Sequence, residues 1–382
     1  MKKFFAIFAA FAVLITNLDI SEVYAVSAQS AVLIDAASGR VLYSHNAEEK
    51  RGMASTTKIM TAITAIENGD LNSIATVSPN AYGVEGSSMY LVRGEKLSLE
   101  NLLYGLMLVS GNDAATAVAE HISGSVDAFA ALMNKKAAEI GAYNSNFTNP
   151  HGLSDKNHYT TAHDLAKITA YALKNPAFAE IVATKTKSIP WQDHDYNRRL
   201  VNHNKFLSMY DGCIGVKTGF TKATGRCLVT AVERDGMRLV CVTLNAPDDW
   251  NDHREIYDKA FGEFKPYCVR AAGTRETEAE IKRGAQKTVG LVCAEDICIP
   301  LREGEEGTAE TVCEIYEDLR APIAQGDVLG QLRVRVGGEE CGSFPLCAAE
   351  DIPLAHISFA PVRENFGSML RRVIDMWVRS FV

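Results

Sequence analysis

The sequence predicts an α/β (α+β) catalytic domain, an antiparallel sheet flanked by helices, followed by a small all-β domain and a terminal amphipathic helix. Three observations lead there. Two β-rich runs separated by a turn, Ser30–Asp35 and Arg40–Ser44, are answered much later by Cys227–Val232 and Arg238–Leu244, with helical runs between them. Beyond the glycines near Gly273 and the charged run Glu276–Arg283, short β-type runs replace long helical ones. At the end of the chain Phe366, Met369, Leu370, Val373, Trp377 and Phe381 share one helical face, with Arg371, Arg372, Asp375 and Arg379 mostly elsewhere, a pattern that suits a membrane surface.

Taken in order, Lys2-Lys3, the apolar run Phe4–Ile15 and the stretch ending Val23-Tyr24-Ala25 read as a secretory signal cleaved after Ala25. The hairpin follows, and then a helix opening at Ala54-Ser55-Thr56-Thr57-Lys58 and ending at Asn68-Gly69. A polar, glycine-bearing loop runs to Gly94. Ser98 starts an apolar helix through Leu102, Leu103, Leu106 and Leu108, which stops at Ser110-Gly111-Asn112; further helices run from Asp113 to Ile122 and from Val126 to Ile140. Asn149-Pro150-His151-Gly152-Leu153 is a turn cluster, followed by a helix over Ala162–Leu173. Thr186–Pro190 and Arg199–Asn204 read as edge strands or loops, and the Lys217 segment as a strand beside the central sheet. A helix from Asp252 to Phe264 closes the first domain. Thr288–Cys293, Ile297–Leu301, Thr311–Tyr316 and Val328–Val336 are short strands of a small sandwich or barrel. The expected segments are a signal peptide at 1–25, a catalytic domain at 26–270, a β-rich domain at 271–352 and a membrane-surface helix at 361–382.

A chain of 382 residues suits about two domains, and 47% hydrophobic with 23% charged residues is ordinary globular composition. The net charge of −8 argues against a nucleic-acid partner, which would call for a basic face. All nine cysteines fall from Cys213 onward, and an odd number cannot all pair within one chain. Zinc at Cys293, Cys298, Cys341 and Cys347 is disfavoured, because the spacings are wider than those of zinc ribbons and no histidine stands near. Disulfides and buried thiols both stay open.

The chemistry concentrates at Ser55 and Lys58. Residues i and i+3 of a helix lie on one face, so a serine hydroxyl and a lysine amine come within hydrogen-bond reach. A neutral amine can take the serine proton during attack on a carbonyl, which requires a lysine pKa lowered by burial and nearby positive potential. Ser110 and Asn112 occupy a tight turn between apolar helices, unlike the Ser-x-Asn triplets at Ser44 and Ser78, which precede polar loops. Lys217-Thr218-Gly219 occurs once, on a strand: Lys217 brings positive potential, Thr218 a hydroxyl for a carboxylate, and Gly219 close approach of an extended substrate.

Ser-x-x-Lys, Ser-x-Asn and Lys-Thr-Gly in this order resemble the motif set of penicillin-binding proteins and serine β-lactamases. With Asn149–Leu153, Thr161-Ala-His-Asp-Leu165 and Gly215–Thr221, the chain resembles the low-molecular-mass penicillin-binding proteins that act as serine-type D-alanyl-D-alanine carboxypeptidases, over nearly its whole length. The resemblance implies a β-lactamase/transpeptidase-like catalytic fold, removal of the terminal D-alanine from peptidoglycan stem pentapeptides through a Ser55 acyl-enzyme, acylation by β-lactam antibiotics, and no cofactor or metal. It implies Lys58 as base, Ser110 as proton relay to the leaving amine, Asn112 as orienter of the substrate amide, Lys217 with Thr218 as carboxylate holders, an oxyanion hole from the Ser55 and Phe220 N–H groups, and Arg254 as an additional carboxylate-facing arginine. It places the enzyme on the extracytoplasmic face of the bacterial cytoplasmic membrane. Phe220, and Ala223-Thr224-Gly225-Arg226 where an Ala-Gly pair is common, depart from many relatives and bear on substrate preference. A β-lactamase would call for a Glu-x-x-x-Asn element between Asn112 and Lys217, and none is convincing; a Ser-His-Asp hydrolase would call for a Gly-x-Ser-x-Gly elbow, which is absent. A non-hydrolytic penicillin-binding sensor or scaffold, or an endopeptidase of cross-links, shares the same motifs.

Overall fold

The computed structural model describes residues 26–355 and 366–379. The expected signal peptide, residues 361–365 of the expected terminal helix, and Phe381 on its apolar face lie outside them.

The hairpin forms as expected: β1 (Ser30–Asp35) pairs antiparallel with β2 (Val41–His45). On the other side β1 pairs with β9 (Met237–Leu244), which pairs with β8 (Gly225–Arg234), which pairs with β7 (Cys213–Thr221), every pair antiparallel. The sheet therefore runs β2-β1-β9-β8-β7 and leaves the Lys217 strand at its edge. Strands covered on both faces lose the apolar-polar alternation of a half-exposed strand, and all six residues of β1 are buried. Val32, Ile34, Val240 and Val242 enter one core while Leu33, Leu239 and Cys241 enter the other, the period of two that a strand imposes.

Helices fill the first core. α1 (Lys58–Asn68) runs through its middle, its first eight residues buried, against α2 (Leu99–Leu108), α3 (Asn112–Ser123), α4 (Val126–Ile140) and α5 (Ala162–Ala172). Ser98, Ser125 and Thr161 each accept from the backbone N–H group three residues on, which caps α2, α4 and α5. The other face of the sheet is covered by α8 (Asp249–Glu263), where Tyr257 and Phe261 pack on β9 and β8. α8 starts a turn earlier than the expected Asp252, and Phe264, read as its last residue, opens β10 (Phe264–Arg270).

Several features were not anticipated. A short ribbon joins β3 (Ile74–Thr76) to β4 (Lys96–Ser98) inside the stretch read as loop. Helix α6 (Pro176–Ala183) fills the gap after α5, capped by Asn175 with Pro176 in its first turn. It precedes the two edge strands, which pair with each other as β5 (Thr186–Ile189) and β6 (Arg198–Val201); a single turn, α7 (Phe206–Met209), leads to β7. The charged run near Glu276 is itself a strand, β11 (Arg275–Glu280).

The later part of the chain is β-rich among its described residues before the terminal helix, with one 3₁₀ turn at Glu306–Thr308. The expected strands are β12 (Thr288–Cys293), β13 (Ile297–Arg302), β14 (Ala309–Ile315) and β15 (Val328–Val336), and β16 (Glu339–Ala348) is additional. One five-stranded sheet runs β11-β12-β16-β15-β14. The edge position of β11 explains its charges, since an edge strand with only Ala279 fully covered tolerates them. Cys268 and Cys298 are disulfide-bonded while the other seven cysteines are free thiols, which removes Cys298 from any zinc set. Helix α9 (Phe366–Arg379) exposes Met369, Leu370, Val373, Ile374, Met376, Trp377 and Val378. No helix among the described residues is long and apolar enough to cross a membrane.

Candidate active site

Ser55 does not sit in the α-helix itself. Ala54–Thr57 is a 3₁₀ turn ahead of α1, entered through Ala54 at a φ of +47°, a left-handed value that a β-carbon makes costly. Such a conformation persists only where the surroundings hold it, and here they do. Thr148 N–H donates to His158 Nδ1 at 3.1 Å; His158 Nε2 lies 2.8 Å from Thr57 Oγ1, which donates to the Ala54 carbonyl at 2.7 Å. With Nδ1 accepting, Nε2 carries the proton, so the chain runs one way to the residue before the nucleophile. Burial, against the smaller opposing pull of Asp155, lowers the His158 pKa to about 4 and keeps the ring neutral.

The amine of Lys58 is fully buried. Its Nζ lies 3.0 Å from Ser55 Oγ, 2.6 Å from Asn112 Oδ1 and 2.7 Å from the His151 carbonyl oxygen. Burial, and after it the charge of Lys217, hold the amine well below its ordinary pKa, against a smaller opposing effect of Asp113. A neutral amine has two hydrogens and a lone pair. Two short contacts to carbonyl-type oxygens use the hydrogens and leave the lone pair facing the serine hydroxyl, as a base requires. The carbonyl at 151 is fixed in turn, because Asn149 Oδ1 accepts from Gly152 N–H at 2.7 Å and Thr61 Oγ1 donates to the Pro150 carbonyl at 2.7 Å.

Asn112 also donates through Nδ2 to the Glu85 carbonyl at 2.5 Å, and its own N–H donates to the Ser87 carbonyl at 2.7 Å. Asp113 beside it accepts from Ser88 Oγ at 2.6 Å and from the N–H groups of Met89 and Leu91 at 3.1 and 3.0 Å. The 85–91 wall is thus tied to the first turn of α3. Ser110 lies in the α2–α3 turn at a φ of +62° and is 4% exposed.

The third motif arrives on β7. Lys217 is buried and its pKa falls to about 7 through burial; its Nζ donates to the Thr218 carbonyl at 2.9 Å. Gly219 brings the strand against the nucleophile turn: a Cβ there would lie 3.1 Å from the backbone nitrogens of Ser55 and Thr56. Thr218 is half-buried and Phe220 is 62% exposed. Arg254 lies on α8 and donates to Asn251 Oδ1 at 3.3 Å within its own helix.

Sequence reasoning missed His158, Thr57 and Asp113. Thr57 lay inside the motif and Asp113 next to another, in the first turn of its helix where an acid is favoured. Nothing local distinguishes His158 from any loop histidine.

The family model of D-alanyl-D-alanine carboxypeptidases matches residues 17–248, and that of the penicillin-binding protein 5 C-terminal domain matches residues 264–354. The D-alanyl-D-alanine carboxypeptidase DacF of Bacillus subtilis is 32% identical over 361 residues, 92% of this chain and 90% of its own. DacA of Haemophilus influenzae, another D-alanyl-D-alanine carboxypeptidase, is 32% identical over 352 residues, 87% of each chain. The crystal structure of penicillin binding protein 5 from Haemophilus influenzae superposes with a TM-score of 0.68 at 30% identity, covering 86% of this chain and 98% of that one. A buried lysine facing a serine at the edge of the sheet stands within a match that spans more than half of the sequence, so the chain belongs to the D-alanyl-D-alanine carboxypeptidase family.

Proposed function

We propose that this chain is a serine peptidase that removes the terminal D-alanine from peptidoglycan stem pentapeptides. Ser55 Oγ attacks the carbonyl carbon of the penultimate D-alanine as its proton passes to Lys58. The oxyanion is held by the N–H groups of Ser55 and Phe220. The C–N bond breaks, Ser110 delivers a proton to the departing amine, and D-alanine leaves; water then hydrolyses the Ser55 ester. Lys217 and Thr218 hold the terminal carboxylate, with Arg254 as a further positive group, and Asn112 orients both the substrate amide and Lys58. The same serine is acylated by β-lactams.

The observation that carries this reading is the buried Lys58 amine 3.0 Å from Ser55 Oγ, its pKa held well below the ordinary lysine value by burial, so that nucleophile and base are already in contact. On this reading we assign the catalytic domain to 26–270, the β-rich domain to 271–352 and membrane-surface binding to the terminal segment that contains α9, with the enzyme on the extracytoplasmic face of the membrane. The exposed apolar side chains of α9 support that last assignment.

The test is D-alanine release from a pentapeptide ending in D-Ala-D-Ala, with Ser55→Ala alongside. Release by the natural enzyme and none by the variant is the expected result. Silence from both, with stable penicillin acylation at Ser55, would favour a sensor or a cross-linked substrate, and rapid penicillin hydrolysis would favour a β-lactamase.

A further inference from the structure

Beside the nucleophile turn lies an open cavity of about 550 Å³, lined in part by Met53 and Ala54. Gly152, Ala223 and Thr224 from the β7–β8 turn, and the exposed Lys50 and Lys156 also line it. The size suits a couple of peptide residues.

The direction of β7 leads a substrate into it. With the terminal carboxylate at Thr218 and the scissile carbonyl at the Phe220 N–H, the residues upstream of the scissile bond run along the strand toward Thr221 and Thr224. At about 3.3 Å per residue in an extended chain, the second residue before the acyl residue falls beyond Thr221, where Ser154 Oγ and Thr221 Oγ1 meet at 3.3 Å and the cavity begins.

The charges around the cavity have a clear bias. Arg51 also lines it, but its guanidinium is committed to Ser30, Gln29 and Glu49. Asp155 supplies one carboxylate, whose Oδ1 accepts from the Asn157 N–H at 2.7 Å. Neither lysine forms a salt bridge among the described residues; Lys50 Nζ lies 4.8 Å from the ring centre of Tyr159, and Lys156 is exposed. On a chain of net charge −8, two exposed lysines lining one cavity and making no salt bridge among the described residues give it a local positive potential.

On the carboxypeptidase reading above, we propose that this cavity is a subsite for a free carboxylate on the upstream part of the stem peptide, held by Lys50 and Lys156. The group that fits in reach and charge is the α-carboxylate of a D-glutamate linked through its γ-carboxyl, two residues before the acyl D-alanine. The enzyme then discriminates between stem peptides with this carboxylate free and those in which it is amidated.

The experiment uses the full chain and two pentapeptides ending in D-Ala-D-Ala, identical except for D-glutamate or D-isoglutamine at that position. The natural enzyme is expected to favour the free acid by about 3- to 10-fold in kcat/KM, as two rim ion pairs allow. The preference should shrink with added salt. The double variant Lys50→Gln, Lys156→Gln should bring the ratio close to one, with its thermal midpoint checked against the natural enzyme. A ratio of one in the natural enzyme, or a preference that survives in the double variant, overturns the subsite. A parallel measurement separates this result from failure of the carboxypeptidase reading: the rate at which Ser55 is acylated by two penicillins carrying the same acid and amide side chains, read by mass. If neither peptide is cleaved, the acid-to-amide ratio of acylation still decides for or against the subsite.

Discussion

Gly152 meets the carbonyl oxygen of Ala54 so closely that a Cβ at 152 would stand 1.8 Å from it, and Gly152 itself adopts a φ of +88°. Both facts exclude a side chain. Gly152→Ala must displace the residue next to the nucleophile or the loop that fixes the His151 carbonyl. The expected outcome is a loss of about 2 kcal/mol or more in stability, with at least a tenfold slower acylation by penicillin. Chemical denaturation and stopped-flow acylation would check it; a variant with natural rates would show that the close contact does not position Ser55.

The two lysines should shape the pH profile. Lys58 works as a base only when neutral, so kcat/KM falls on the acid side as it takes up a proton. Lys217 works as a carboxylate holder only when charged, and its pKa of about 7 places the alkaline fall from about neutral pH upward. Because the Lys217 charge lowers the Lys58 pKa, Lys217→Gln should move the acid limb to higher pH, remove the alkaline limb and raise KM. A pH series of kcat/KM for both enzymes decides the point, and an acid limb that stays in place would separate the two lysines.

His158 and Thr57 form one chain to Ala54, so their deletions should not add. Thr57→Val and His158→Leu are each expected to slow Ser55 acylation by about an order of magnitude, and the double variant by no more than the worse single one. His158→Gln, which can still donate toward Thr57, should recover part of the rate. Fully additive losses would mean that the residues act separately.

His253 gives an acid-stability prediction. It is buried between threonines, with Nδ1 2.7 Å from Thr230 Oγ1 and Nε2 3.0 Å from Thr243 Oγ1, and burial lowers its pKa to about 3. An unfolded histidine titrates near 6.5. Between these values the unfolded chain binds the extra proton, so stability is complete above about pH 6.5 and declines as pH falls toward 3. By pH 5 the loss from this residue is about 2 kcal/mol. Denaturant midpoints at pH 7 and pH 5 for the natural chain and His253→Phe would show it as a smaller acid shift in the variant.

The parts of this molecule written in local patterns were legible. The spacing of Ser55 and Lys58 put them within reach of one another, the Ser110 and Lys217 motifs gave that pair its meaning, and the strand-like runs of β8 and β9 set the Lys217 strand beside the sheet. What escaped depends on distant partners or ambiguous signals. Asn175-Pro176 reads as a turn unless its role as a helix start is given weight. β11 carries its charges because it lies at an edge, a fact of sheet order and not of composition. His158 becomes part of the site only because the fold brings it to Thr57, 101 positions away in sequence. The role of Asn112 widened for the same reason, since its amide faces Lys58 across the site.

Asp113 holds the 88–91 segment through a side-chain hydroxyl and two backbone N–H groups, while Asn112 holds Glu85 and Ser87. The wall of the cleft is therefore set when the chain folds and not when a ligand arrives. A preformed wall carries little ordering cost on binding; a β-lactam or a peptide should meet nearly the same surface, with backbone shifts within about 1 Å between free and acylated enzyme. Selectivity in such a cleft comes from which molecules already match it, and a ligand that does not match gains nothing by waiting for the wall to move.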